Sequence, residues 1–304
     1  MWEIIIAGAA AIKVPGLFEA AVRATGEKLL GPVLDSWAQP IKDRTQQRSR
    51  ISQALADLAA QEIGINPSEY RPAVEHLLLE ADDRAGRKKS TFRKALVHLA
   101  AGSEDQTERA DVPNEDWLNR WARYVEDASS DELQDAFARI LAGEISRKGT
   151  FSIAVLRIVA EMSPHTAREF QALWSETITD YAIKYPIYNR GDGWLRLLKL
   201  RESGLVSFSD ASIHRPPNGS LWTFGAGPFL TVEVDPQAYS EVPIMNLTSL
   251  GLELGSILPR PDSLANLRKL GLECPDKRGW KQALLVHTRV SSGPAEVVWR
   301  APEA

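Results

Sequence analysis

The sequence predicts a mainly α protein, with a helical N-terminal half followed by an α+β C-terminal half. Three observations carry this. Apolar residues recur at helical spacing in nearly every segment up to about residue 185. Most of those segments bring their own capping residues. Only past "YPIYNRGDG" do period-two runs bounded by turn residues appear. A chain of 304 residues is long for a single core. We divide it into a helical region with an amphipathic segment at 1–110, a second helical region at 111–185, and the α+β domain at 186–304.

The first amphipathic stripe is Phe18, Val22, Leu29, Val33, Trp37 and Ile41, with Pro32 starting or kinking a helix. Its polar face mixes Glu19, Arg23, Glu27, Lys28 and Asp35, so packing or self-association is expected ahead of an anionic membrane. Two helices, "RISQALADLAAQEIG" and "AVEHLLLEADDRAG", follow around the turn-like "INPSEYRP". "RKKSTFRKALVHLAAG" then opens a further helix. Arg84, Arg87, Lys88, Lys89, Arg93 and Lys94 form a run without an acid, a candidate basic binding patch. The acidic "GSEDQTERADVPNED" reads as an exposed loop. Trp117, Trp121 and Val125 then place indole rings on one buried helix face.

"SSDELQDAFARILAGEIS" is the most patterned stretch. Ser129 and Glu132 have capping-box spacing, and Asp131 and Glu132 suit the positive end of a helix. Leu133, Phe137, Ile140, Leu141 and Ile145 line one face. Arg147 and Lys148 suit the other end, and Gly149 can take a left-handed conformation. "TFSIAVLRIVAEM" continues as a buried helix capped by Thr150 or Ser152. Ser163 and Pro164 begin the next, whose apolar face is Phe170, Leu173, Trp174, Ile178 and Tyr181. Asp192 is expected to cap "GWLRLLKLRES", and Gly204 to end it. "LVSFS" and "LTVEVD" read as strands, the latter paired with "SLWTF" across "GAGP". Thr248 caps a helix in "LTSLGLELGSIL", and "DSLANLRKLGL" is another. "KQALLVHTRV" and "AEVVWRA" form a terminal hairpin.

Asp131 to Gln134, Leu141 to Glu144, Gly149, Phe151 and Ser152 give the chain its family likeness. In these residues it resembles a bacterial family known only as a domain of unknown function. Abi-alpha abortive-infection proteins share a related signature. Phe137–Ala138 depart from the Leu–Trp pair common in relatives. The resemblance implies a bacterial protein and an association with phage defence, and says nothing of mechanism. Trp194 to Leu258 also resembles a winged helix, which implies a helix that DNA could receive. That helix carries Arg196, Lys199 and Arg201 beside Glu202.

The chemistry is sparse. No phosphate loop, dinucleotide fingerprint, His-Glu-x-x-His or Gly-x-Ser-x-Gly is present. His76, His98, His165, His214 and His287 are never closer than 22 residues, so no local metal pair forms. Cys274 is the single cysteine, which excludes an internal disulfide and suits a reducing cytoplasm. Glu144, Asp131 and Glu132 are the best acids for a hydrolase, yet capping and pairing explain them. A net charge of −4 does not favour nucleic acid. "IIIAGAAAI" is too short for a membrane span of roughly 20 residues. We therefore expect a cytoplasmic, non-enzymatic interaction protein without catalytic, cofactor or metal residues, whose partner is itself or another protein. The alternatives are a winged-helix DNA-binding regulator, and an effector peripheral to the inner membrane.

Overall fold

A computed structural model describes residues 54, 67–101, 112–214, 221–286 and 295–302. The stripe from Phe18 to Ile41 lies outside the described residues, as does "RISQALADLAAQEIG" apart from Ala54. The chain divides into two compact units, Met1–Ala160 and Glu161–Ala304.

Four helices make the described part of the first unit: α1 (Pro67–Ala100), α2 (Glu115–Asp127), α3 (Asp131–Ser146) and α4 (Ile153–Glu161). The 34 residues of α1 form one continuous helix where the sequence suggested two. Pro67 begins it, where a missing N–H costs nothing, and Gly86 passes through its middle. Phe92, Ala95 and Leu99 of α1 are buried where it packs on α2 and α3. From α2, Trp117, Trp121 and Val125 enter the core as predicted, and Leu118 joins them. Both indole N–H groups find acceptors there: Trp121 Nε1 donates to Phe137 O at 3.0 Å and Trp117 Nε1 to Phe151 O at 2.8 Å. Phe137, Ile140, Leu141 and Ile145 of α3 are buried against them.

The start of α3 differs from the sequence reading by one residue. Ser130, not Ser129, is the cap; its hydroxyl accepts from Leu133 N at 3.2 Å, and Leu133 thereby occupies the position a capping box needs for Glu132. The buried Gln134 amide donates to Ala128 O at 3.0 Å and fixes the chain just before the cap. Gly149 takes the left-handed conformation expected of it, with φ of 81°. Ser152, rather than Thr150, caps α4, accepting from Val155 N.

The second unit contains α5 (Pro164–Ser175), β1 (Tyr181–Ile183), a 3-10 turn (Pro186–Asn189), α6 (Gly191–Glu202), β2 (Ala211–His214), β3 (Leu221–Phe224), β4 (Phe229–Val234), β5 (Glu241–Asn246), α7 (Ser249–Gly255), α8 (Ser263–Glu273), β6 (Trp280–Val286) and β7 (Glu296–Arg300). Ser163, Thr248 and Asp262 cap α5, α7 and α8 as predicted. Two antiparallel sheets form, ordered β1-β5-β2 and β3-β4-β6-β7. The β3–β4 and β6–β7 pairings were legible in the sequence; the first sheet was not. Helix α5 stops at Ser175 and Tyr181 opens β1, so the chain is not helical through 185. The division at 160/161 thus falls inside the stretch 111–185 that the sequence groups together. "LVSFS" is no strand: Val206 makes a single bridge to Leu247. Asp192 sits in the first turn of α6, whose cap is Arg190. The unit's core joins Trp222, Phe224, Leu230 and Val232 of the larger sheet to Val242 and Ile244 of the smaller and to Leu267 and Leu270 of α8.

Among the described residues no helix is long and apolar enough to cross a membrane. A Cβ at Gly143 would lie 2.6 Å from the Phe151 ring. Gly143→Ala must therefore displace that buried ring, and we expect a loss of about 1–3 kcal/mol in urea unfolding of the first unit.

Candidate functional site

The basic run lies in the middle of α1, where a continuous helix spreads its side chains around the axis. Most of these cations are engaged within the first unit. Arg84 pairs with Glu80 at 2.6 Å, one turn back. Lys88 reaches Glu126 of α2 at 2.7 Å, largely screened from water. Lys94 donates to Asp131 Oδ1 at 2.6 Å and to Asp131 O at 3.1 Å, tying α1 to the start of α3. Arg87 bonds the carbonyl of Asp83. Lys89 and Arg93 are exposed, one turn apart, and have no ion-pair partner among the described residues. Among the described residues the patch thus keeps Lys89 and Arg93 without an ion pair, Arg84 and Arg87 bond within α1, and Lys88 and Lys94 tie α1 to its neighbours.

One turn beyond Lys94, His98 Nε2 lies 2.7 Å from Asp135 Oδ1, and Arg139 Nε donates to Asp135 Oδ2 at 2.9 Å. Burial alone would raise the Asp135 carboxyl, but the hydrogen bonds from His98 and Arg139 outweigh it and hold the group below its usual range. This cluster joins α1 to α3. No nucleophile contacts it among the described residues.

Glu144, the best acid by sequence, is buried to 2 % exposure. Its Oε1 accepts from Gly149 N at 2.7 Å and its Oε2 from Phe151 N at 2.9 Å. Both carboxylate oxygens are thus spent closing the α3–α4 turn, and Trp117 donates to the carbonyl of the same residue, Phe151. The remaining candidate groups show no convergence. His165 is exposed, 3.9 Å from Glu169, and His214 is exposed, 3.7 Å from Glu241. Burial pushes the Cys274 thiol up to about 11, leaving it protonated at neutral pH and a poor nucleophile. Among the described residues no three His, Cys, Asp or Glu side chains gather as a metal site.

Helix α6 in the second unit behaves differently. Gly193, Leu197 and Leu200 form its buried face. At 100° per residue, the opposite face presents Leu195 and Glu202 at its crest, Trp194 and Leu198 on one flank, and Asp192 and Lys199 on the other. Trp194 is 45% exposed and Leu195 is 50% exposed, although both belong to a large apolar type. Ile187, in the preceding 3-10 turn, is 67% exposed and packs its backbone against Gly193. The helix's cations are mostly committed. Arg201 and Lys184 both donate to Asp210 Oδ1, at 2.8 and 2.7 Å, and those bonds hold the Asp210 carboxyl low. Arg196 lies 3.5 Å from Glu169. The sequence reading singled out the cations of this helix and missed its exposed indole. A signal was available: "GWLRLLKLRE" has apolar residues at 194, 195, 197, 198 and 200, more than one buried face can hold.

A family model described as a protein of unknown function, DUF2806, matches residues 84–181. No curated protein and no solved structure gives a significant match. The DUF2806 stretch opens at Arg84 within α1 and closes at Tyr181, the first residue of β1. The residues that carried the family likeness fall within it, and their roles are now visible. Asp131 anchors Lys94, Gln134 ties down Ala128, Gly143 makes room for Phe151, and Glu144 closes the turn. These are folding roles.

Glu144→Ala removes the acceptor of two backbone N–H groups, and we expect roughly 2–4 kcal/mol of destabilisation. Amide exchange at Gly149 and Phe151 should accelerate above the rest of α3, with Glu144→Gln intermediate. For Asp135 the folded-state carboxyl is depressed, so its contribution is full above the unfolded value near 4 and fades as pH falls below it. Asp135→Asn should cost about 1–3 kcal/mol at neutral pH and flatten the acid side of the stability curve, as read by urea unfolding from pH 2 to 7.

Proposed function

We propose that the chain is a non-enzymatic interaction protein whose second unit is a winged-helix-like module presenting α6 to a protein partner. The module reading is supported by element order. Helix α5, strand β1, the 3-10 turn, helix α6 and strand β2 follow one another, and β5 returns between β1 and β2. In that reading β2 and β5 are the wing strands, with the β3–β4 ribbon inserted between them. α6 is then the helix that a DNA-binding relative would insert into the major groove.

The observation that favours a protein partner is the composition of the α6 crest and its adjoining flank. Trp194, Leu195 and the part-exposed Leu198 stand where a phosphate-binding helix needs cations. Of the basic residues, Arg201 serves Asp210 and Arg196 faces Glu169, leaving Arg190 and Lys199. Specific DNA binding draws on about 6–10 phosphate contacts, far more than two lysine or arginine side chains supply. An exposed tryptophan beside leucines is the usual make-up of a protein-binding hot spot. This reading does not depend on the phage-defence setting that the family likeness implies.

The test is a photo-crosslinking amino acid at position 195 of the full chain, irradiated in the cells that express it. We expect a discrete protein adduct at 195 and none at the exposed control position Gln237. Adducts to nucleic acid alone, or the same diffuse adducts at both positions, would overturn the reading.

A further inference from the structure

We propose that the partner of α6 is a second copy of this chain, bound antiparallel through Trp194, Leu195 and Leu198. The inference rests on the protein-binding reading of the module and names the occupant of the same surface. It is argued from the arrangement of charge around the apolar crest. Asp192 and Lys199 lie on one flank, seven residues or about 10.5 Å apart along the axis, too far to pair within one helix. Neither has an ion-pair partner among the described residues, and both are exposed. Arg190 at the N-terminal end and Glu202 at the C-terminal end are likewise exposed without one.

A two-fold axis crossing α6 at Leu195 reverses the direction of the second helix and keeps each flank on its own side. Residues whose numbers sum to about 391 then face one another. Asp192 of one copy meets Lys199 of the other, Arg190 meets Glu202, and both contacts occur twice. On the opposite flank Trp194 lies over the partner's Leu198, while Leu195 meets itself. The surface is therefore complementary to its own image, as an isologous interface requires. A parallel pairing would leave Asp192 and Lys199 on opposite outer edges with no counter-charge. The antiparallel arrangement also opposes the two helix dipoles.

The helix is short, about 18 Å, and its crest covers less than the ~800 Å² per partner of a standard interface. The complex is therefore a weak one, with a dissociation constant on the order of 10–100 μM. That range suits a contact that forms when the protein is concentrated locally.

Sedimentation velocity of the full chain from about 1 to 300 μM reads the association directly. We expect a reversible monomer–dimer equilibrium that Leu195→Glu abolishes; half-exposed, that side chain can be changed without unfolding the unit. Asp192→Lys and Lys199→Asp should each weaken the dimer about fivefold or more. The double variant D192K/K199D should restore it to within about twofold, a rescue that only a contact between copies can produce. Under mild oxidation Leu195→Cys should give a disulfide-linked dimer, because the native Cys274 is buried and does not compete. A chain that stays monomeric to 300 μM overturns the inference. So does a dimer indifferent to Leu195→Glu and to the charge exchange. A monomer whose residue 195 crosslinks to a different protein removes self-association and leaves the protein-binding reading intact. A monomer without adducts removes both.

Discussion

The buried carboxylate of Glu144 is the constraint around which the described part of the first unit is arranged. A charged group at 2 % exposure is tolerated only when its oxygens are fully engaged, and here two backbone N–H groups engage both. The chain must therefore turn sharply after α3, which Gly149 permits with its positive φ. Phe151 must come back against Gly143, and its peptide carbonyl must stand where the Trp117 indole can donate. One side chain thus sets the α3–α4 corner and, through Trp117, anchors α2 to it. The same corner engages Glu144, the acid that stands out in the sequence, in holding backbone.

The surface of the first unit follows the same logic at lower stakes. Lys88, Lys94 and the His98–Asp135–Arg139 cluster link α1 to α2 and α3 by ion pairs at the edge of the core. Where a partner is exposed, as Asp131 is, such a pair contributes about 0–1 kcal/mol and serves mainly to fix the rotation of one helix on another. The cost is that cations available in the sequence are no longer available to a ligand. Charge counted along a chain and charge offered to a partner are different quantities.

In the second unit the balance is inverted at α6. There the buried face consists of Gly193, Leu197 and Leu200, while an indole and a leucine, Trp194 and Leu195, stand about half exposed. Leaving that much apolar surface exposed opposes folding slightly and favours association, since each covered square ångström returns about 25 cal/mol. The separated charges Asp192 and Lys199 give the surface a direction as well as an affinity. Together they give α6 a surface composition that its own packing does not explain.

The sequence by itself determined where most helices begin, because caps such as Ser163, Thr248 and Asp262 act within three residues of themselves. It also determined the two hairpins, β3–β4 and β6–β7, whose alternating strands carry their own signal, and the burial of the α2 indoles. Its capping-box spacing pointed to Ser129 for the α3 cap, whereas Ser130 takes that place. Gln134, in the first turn of the helix, ties down Ala128 just before that cap. Tertiary structure alone decided β1, β2 and β5, three to six residues each. Their pairing joins positions far apart in the chain, and "EVPIMN" contains a proline that suppresses a local strand signal. It likewise decided the fate of each charged group. A lysine run records how many cations there are, whereas the distances to Glu126, Asp131 and Asp210 settle how many remain unclaimed, because an ion pair depends on proximity in space and the sequence encodes only proximity along the chain.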